Sequence, residues 1–284
     1  MKITFLGTSA ATSVPLVFCR CAVCQTARRR GGRDRRRRSS VLIDDDLLID
    51  LGPDLMTSAF DFDVDTGHIR FLLQTHSHSD HFDAGHLITR LDEYAVRDLL
   101  PLEICASPET LLHMSERLSR ESEGATLLTP EGQACLHAKV HPMQHGDSVI
   151  LGRRRITAIE SNHDPADGSL LWAIEEGDRA FLYGTDTMRF TDRALELFTA
   201  RGLRFDVIAL DHTYGPGTIG GGHLSADEGI GEIRRLRQVG MLKPECRVLA
   251  THISHEGMLP HDELCKFAVE NGYEIAWDGM EILL

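Results

Sequence analysis

The chain has 284 residues, 42% of them hydrophobic and 26% charged, with a formal net charge of −13 at pH 7. At this length about 75% of the unfolded surface can be buried, so the core needs no disulfide staples. The acidic balance excludes broad non-specific binding to nucleic acid, and no apolar run reaches the roughly 18 residues of a membrane span.

In chain order, "MKITFLGTSAATSV" turns polar too soon for a signal peptide and predicts a first strand over Ile3–Leu6, consistent with a cytoplasmic protein. "CRCAVC" follows, with Cys19, Cys21 and Cys24 at a spacing that suggests metal, whereas Cys105, Cys135, Cys246 and Cys265 are scattered in apolar surroundings and read as small buried hydrophobes. Arg28–Arg38, "RRRGGRDRRRR", packs eight arginines into eleven residues, as either a solvated loop or a patch attracting a phosphorylated substrate. Strands are predicted over Val41–Ile43, Leu47–Asp50, Ile69–Gln74 and Glu103–Ala106, then a helix over Pro108–Ser122. Further strands occupy Ser148–Leu151, Ile156–Glu160, Leu170–Ile174 and Ala180–Tyr183, and the turn residues of "IDDDLL" and "IEEGDRAF" mark hairpins. The last part alternates helix Asp192–Arg201, strand Val207–Leu210, helix Ala226–Val239, strand Val248–Thr251, helix Asp262–Glu270 and strand Glu274–Trp277. Ser225 and Glu228 form a capping box for the helix over Ala226–Val239. With no repeat and no linker, the expectation is one α/β domain over 1–284, with two sheets covered by helices.

The chemistry concentrates in "THSHSDH", Thr75 to His81, directly after an apolar strand. His76, His78, Asp80 and His81 make a mixed nitrogen and oxygen set suited to zinc, iron or manganese. One such loop does not complete a site. Other candidates stand at strand ends: His163 in "ESNHD", Asp186 in "YGTDT", Asp211 and His212 in "LDHT", and His252 with His255 in "THISH".

In this order the motifs resemble the metallo-β-lactamase superfamily over nearly the whole chain. The resemblance implies an αββα sandwich of two mixed β-sheets flanked by helices. It implies one divalent metal on His76, His78 and His163, a second on Asp80, His81 and His252, and Asp186 as the bridge. The metals would be manganese or zinc, with iron a third candidate, and a metal-bridging hydroxide would be the nucleophile. Asp50, in "LIDLG", resembles the aspartate that orients the histidine loop, and a turn or cap role is its alternative. "CRCAVC" and "THISHEG...WDGMEI" further resemble the phosphoribosyl cyclic phosphodiesterase family of the carbon–phosphorus lyase pathway. That implies a structural zinc held by the loop around 19–24, through Cys19, Cys21, Cys24 and His255.

The "H-x-S" context of His223 in "GGGHLSADEG" resembles that of a histidine shared with the tRNA 3′-end processing nucleases, a candidate acid for the leaving oxygen. Asp80 is the other catalytic candidate, and His212 an orienting one. His68, His86, His113, His137, His141, His145 and His261 match no motif position. Glu103–Gly146 carries little motif and is expected to shape the pocket, and the three residues "FDA" after His81 stand where many relatives have two.

The resulting expectation is a metal-dependent phosphodiesterase acting on a small cyclic phosphate or nucleotide-like diester. A tRNA 3′-end-processing-like nuclease, or a lactonase or thioesterase of the same fold, is the alternative. A small phosphorylated substrate is the expected partner; nucleic acid and membrane are not, and homodimerisation is left open.

Overall fold

Apolar residues fill consecutive positions of most strands, so both faces need cover. Val41, Ile43, Leu47, Ile49, Phe71 and Leu73 point into the space between two sheets, while the intervening Leu42, Leu48 and Leu72 point outward onto helices. The second half repeats the pattern: Phe181, Tyr183, Val207 and Ala209 face inward, and Leu182, Ile208 and Leu210 face a second helical layer. The computed structural model, which describes residues 1–94, 98–256 and 259–284, is accordingly the expected αββα sandwich.

One sheet contains β1 (Lys2–Gly7), β2 (Ser40–Ile43), β3 (Leu47–Ile49), β4 (Phe71–Leu73), β5 (Leu102–Ala106) and β6 (Ala138–Pro142) in sequence order. The other contains β7 (Ser148–Leu151), β8 (Arg154–Glu160), β9 (Leu170–Glu176), β10 (Arg179–Gly184), β11 (Phe205–Asp211), β12 (Leu242–Thr251) and β13 (Glu274–Ile275). The last strand, β14 (Glu281–Leu283), returns to pair with β1. In each sheet antiparallel pairing gives way to a parallel run, β3-β4-β5-β6 in one and β10-β11-β12-β13 in the other. The carboxyl ends of these parallel strands supply most of the residues singled out from the sequence.

The helices are α1 (Ala22–Arg30), α2 (Leu55–Phe62), α3 (Ala84–Ile88), α4 (Pro108–Glu121), α5 (Pro130–Cys135), α6 (Asp192–Arg201), α7 (Ala226–Gln238) and α8 (His261–Glu270). Each expected strand and helix is present, with ends shifted by no more than a few residues except for β12, which starts six residues before the expected Val248, and the Ser225–Glu228 capping box is formed. Unforeseen were β6, β14 and the short helices α1, α2, α3 and α5. Asp83 caps α3, accepting from the Gly85 N–H, so this helix starts within "FDA". Among the described residues no helix is long and apolar enough to cross a membrane.

The arginine run is neither a free loop nor wholly a patch. Arg28–Arg30 end α1, and Arg36 is buried, donating to the Thr8 hydroxyl at 2.7 Å, the Ala276 carbonyl at 2.6 Å and His261 Nδ1 at 2.9 Å. Arg38 pairs with Asp54 at 3.1 Å, and Arg37 with Asp61. These contacts tie the first strand to the carboxyl-terminal segment, a role that charge counting alone does not reveal.

Gly52 shows how tightly β3 is joined to the histidine loop. A Cβ there would lie 2.5 Å from the Asp80 carbonyl oxygen, a backbone atom with little room to yield. Gly52→Ala is therefore expected to destabilise by about 1–3 kcal/mol. By contrast, Gly231→Ala, on an exposed turn of α7 with nothing near the added methyl, should gain up to about 1 kcal/mol. Thermal unfolding of the two variants tests the contrast, and equal shifts would refute it.

Candidate metal centre and active site

The segment after β4 descends into the cleft between the sheets as Thr75–His81, and residues from the second sheet meet it there. Ligand atoms of His76, His78 and His163 form one group, and those of Asp80, His81, Asp186 and His252 another, with atoms in each group within 4.8 Å of one another. Asp186 lies between the groups. Its Oδ1 is 3.9 Å from His76 Nε2 and 3.6 Å from His163 Nε2, while its Oδ2 is 3.1 Å from both His81 Nε2 and His252 Nε2. Asp80 Oδ2 faces the second group, 3.1 Å from His81 Nε2. All seven residues placed by the resemblance on the two catalytic metals are thus brought together.

Each imidazole is held from behind. Asp50 Oδ2 contacts His81 Nδ1 at 2.7 Å, and its Oδ1 accepts from the Thr75 hydroxyl at 2.8 Å; that hydroxyl stands 2.9 Å from His76 Nδ1. Asp211 repeats the device. Its Oδ2 is 2.9 Å from His223 Nδ1, and its Oδ1 accepts from the Thr213 hydroxyl at 3.0 Å, which is 2.8 Å from His252 Nδ1. His78 Nε2 contacts Asp164 at 3.1 Å, and His163 Nδ1 contacts the Gly222 carbonyl at 3.1 Å. Such partners fix the tautomer and leave the opposite nitrogen free as a donor to a cation.

Those opposite atoms test whether a metal fits. His76 Nε2, His81 Nε2, His252 Nε2 and Asp186 Oδ2 are buried and without hydrogen-bond partners, an expensive state for groups that converge on one another. The charges tell the same story. Burial disfavours the charged form of His81, yet Asp186, Asp80 and Asp50 around it hold its pKa well above the usual imidazole range. Burial, with His81 beside it, holds that of His76 well below. Burial likewise opposes the charge on Asp186, but His252 and His81 keep it well below the usual carboxylate range. The donor set of imidazole nitrogens and carboxylate oxygens fits borderline divalent ions.

Backbone strain marks the same places. Asp50, Asp186 and His252 adopt positive φ of 65°, 52° and 58°, a region that costs a non-glycine residue about 1–3 kcal/mol and is found where surroundings over-determine it.

His223 lies at the mouth of the cluster, its ring 4.4 Å from that of His163 and 5.1 Å from that of His252. Burial pushes its pKa down, but the Asp211 hydrogen bond and the charges of Asp211, Asp186 and Asp80 leave it raised. The importance of Asp211 was missed in the sequence, where it stood only among candidate ligands; the "D-x-T" pattern at the end of β11 was the available signal. His212 is corrected. It turns away from the cluster to bond the Tyr273 hydroxyl at 2.9 Å, and burial lowers its pKa to about 4, so it is a neutral packing residue.

A second cluster gathers Cys19, Cys21, Cys24 and His255, again with ligand atoms within 4.8 Å of one another and no disulfide. His255 Nδ1 lies 3.6 Å from Cys19 Sγ and 3.5 Å from Cys21 Sγ. Backbone N–H groups of Cys21, Cys24 and Leu16 point at the sulfurs of Cys19, Cys21 and Cys24. Amides aimed at sulfur favour thiolates, the form that ligates zinc: the Cys21 contacts lower the Cys19 pKa, whereas burial pushes the Cys24 thiol up to about 12 in the absence of a cation. Gly257 of the "THISHEG" motif lies outside the described residues.

A family model described as a beta-lactamase superfamily domain matches residues 46–253. No curated protein matches the chain. Among solved structures the fold is similar to that of a diphosphatase of the PhnP family, at 23% identity and a TM-score of 0.71, covering 99% of this chain and 96% of that one. It is similar to zinc-bound PqqB from Methylobacterium extorquens, at 21% identity and 0.75 over all of both chains. The short form of human tRNase Z matches at 18% identity and 0.65, over 100% of this chain and 99% of that one.

If Asp211 sustains the His223 charge, Asp211→Asn must lower the His223 pKa. Imidazole NMR titration reads this directly, and an unmoved titration would sink the assignment.

Proposed function

We propose, for a chain that belongs to the metallo-β-lactamase superfamily, a metal-dependent phosphodiesterase acting on a small cyclic phosphate or nucleotide-like phosphodiester in the cytoplasm. The observation that carries this reading is the Asp211–His223 pair, 2.9 Å apart, beside the convergent histidines and carboxylates. Diester cleavage expels an alkoxide that needs a proton, and an imidazole with a raised pKa held at Nδ1 by a carboxylate has its other nitrogen available to donate one. A thioester expels a thiolate, which needs no such acid.

In this reading His76, His78 and His163 would hold one divalent ion and Asp80, His81 and His252 the other, with Asp186 placed to serve both. Manganese and zinc suit the donors best, with iron a third candidate. When bound, the ions supply Lewis acidity that makes water nucleophilic near neutral pH and offsets the charge of the phosphate. Burial opposes the charge on Asp80, but His81 and His252 hold it well below the usual carboxylate range, so it is ionised and available as a ligand. Asp50 and Asp211 keep the ring nitrogens aimed. Cys19, Cys21, Cys24 and His255 would hold a structural zinc, their three thiols and one imidazole being the donor types of such sites.

A panel of bis(p-nitrophenyl) phosphate, cyclic phosphates, lactones and thioesters, assayed with manganese- and zinc-loaded protein, tests the reaction class. Phosphodiester turnover is expected, and turnover of carboxylic esters or thioesters alone overturns the proposal. His223→Ala should lower kcat on diesters by about 10²–10⁴-fold with the metal content unchanged. Cys21→Ser should retain about one zinc fewer per chain than the parent by metal analysis and unfold at lower temperature, and equal zinc content refutes the structural site.

A further inference from the structure

The helical cover of the first sheet leaves a gap. Between α2 and α3, over the outward-facing Leu48, Leu72 and Leu102, opens a cavity of ≈ 310 Å³. Leu55 and Met56 of α2 and Leu87 of α3 form its sides, and Met56 and Leu100 remain 39% exposed at its edge. The candidate metal centre contributes no residue to this wall, so the space is separate from the cleft between the sheets.

Two polar groups stand in this apolar wall without a counterpart. His86 Nε2 is buried and has no hydrogen-bond partner among the described residues, a costly state for a ring nitrogen. Arg90, four residues on, lines the same cavity. Its Nε donates to the Leu136 carbonyl at 2.9 Å, and its Nη2 to the Leu100 and His137 carbonyls at 2.7 and 3.0 Å, which fixes the guanidinium plane. Among the described residues no carboxylate pairs with it, and burial, with no acid to offset it, pushes its pKa down. Asp98 also lines the cavity, but it is exposed and forms no ion pair among the described residues. The charge of Arg90 and the orphaned nitrogen of His86 therefore call for one anionic head, and the leucines around them for an apolar tail.

We propose that this cavity binds a medium-chain aliphatic monocarboxylate, its head group on Arg90 and His86 and its chain among the leucines. The proposal goes beyond the phosphodiesterase reading and does not depend on it. Size sets the chain length: a cavity of about 150 Å³ accommodates a benzene, so about twice that volume takes a carboxylate of about eight to ten carbons. Leu51 links this ligand to the histidine loop. It lines the cavity, its carbonyl accepts from the Asp83 N–H at 2.8 Å, and its own N–H donates to Gln74 Oε1 at 3.3 Å. A bound chain thus rests on the strand end from which that loop hangs.

Calorimetry of the metal-loaded full chain with linear carboxylates, below their micelle concentrations, tests the site. One decanoate should bind per chain, affinity should rise about fourfold per methylene from hexanoate to decanoate, and tetradecanoate should gain nothing further. Methyl decanoate, which lacks the charge, should bind at least tenfold more weakly than decanoate. Arg90→Gln should abolish that difference while leaving the affinity for the ester unchanged, which a misfolded variant would not do. Met56→Trp, which fills the cavity from its exposed edge, should abolish binding of both. Nuclear Overhauser contacts from the decanoate methylenes to the methyl groups of Leu55, Met56 and Leu87 should locate the chain in the parent protein. Absence of saturable binding, or decanoate contacts at the histidine cluster in place of these methyls, overturns the inference. So does an affinity that keeps rising beyond decanoate, the mark of surface adsorption, or equal affinity for acid and ester in the parent.

Discussion

Two buried carboxylates, Asp50 at the end of β3 and Asp211 at the end of β11, organise this cleft. Each holds one imidazole directly and a second through a threonine hydroxyl: Asp50 takes His81 and, through Thr75, His76, while Asp211 takes His223 and, through Thr213, His252. A carboxylate buried without compensation would be costly, and an imidazole held only at its Cβ would rotate. Each supplies what the other lacks. The rings are fixed, and their remaining nitrogens converge.

That convergence has its own cost. Four side-chain atoms in the cluster are buried without hydrogen-bond partners, and three of its residues sit at positive φ. The rest of the fold holds them there. β3, β4 and β5 run parallel in one sheet and β10, β11 and β12 in the other, so strand ends from both sheets open at the same edge, and cores on both faces leave the strands little room to shift. The arginine run contributes at a distance: buried Arg36 ties Thr8 to Ala276 and His261.

What was legible in the sequence follows from range. Strands with consecutive apolar residues declare themselves locally, as do "THSHSDH" and "CRCAVC", because the information lies within a few neighbours. His163, Asp186 and His252 carry only the weak local signal of a strand end, and their grouping was supplied by resemblance to a family pattern. The partnership of Asp211 with His223 is set by how β11 and the loop before α7 meet, and neither residue's neighbours reveal it. His212, one residue on, was misread because adjacent side chains at a strand end point to opposite faces. Helix α1 was missed because cysteines and arginines give no apolar period, and its amino-terminal cap is the Cys21 sulfur, an acceptor that cap rules built on oxygen side chains do not anticipate.

The cluster also lies on a seam. His76, His78, Asp80 and His81 come from the half of the chain that builds the first sheet, and His163, Asp186 and His252 from the half that builds the second. Neither half contains a full donor set. Ions held here would be gripped by residues of both halves, so the donor set is complete only when the two sheets are packed together.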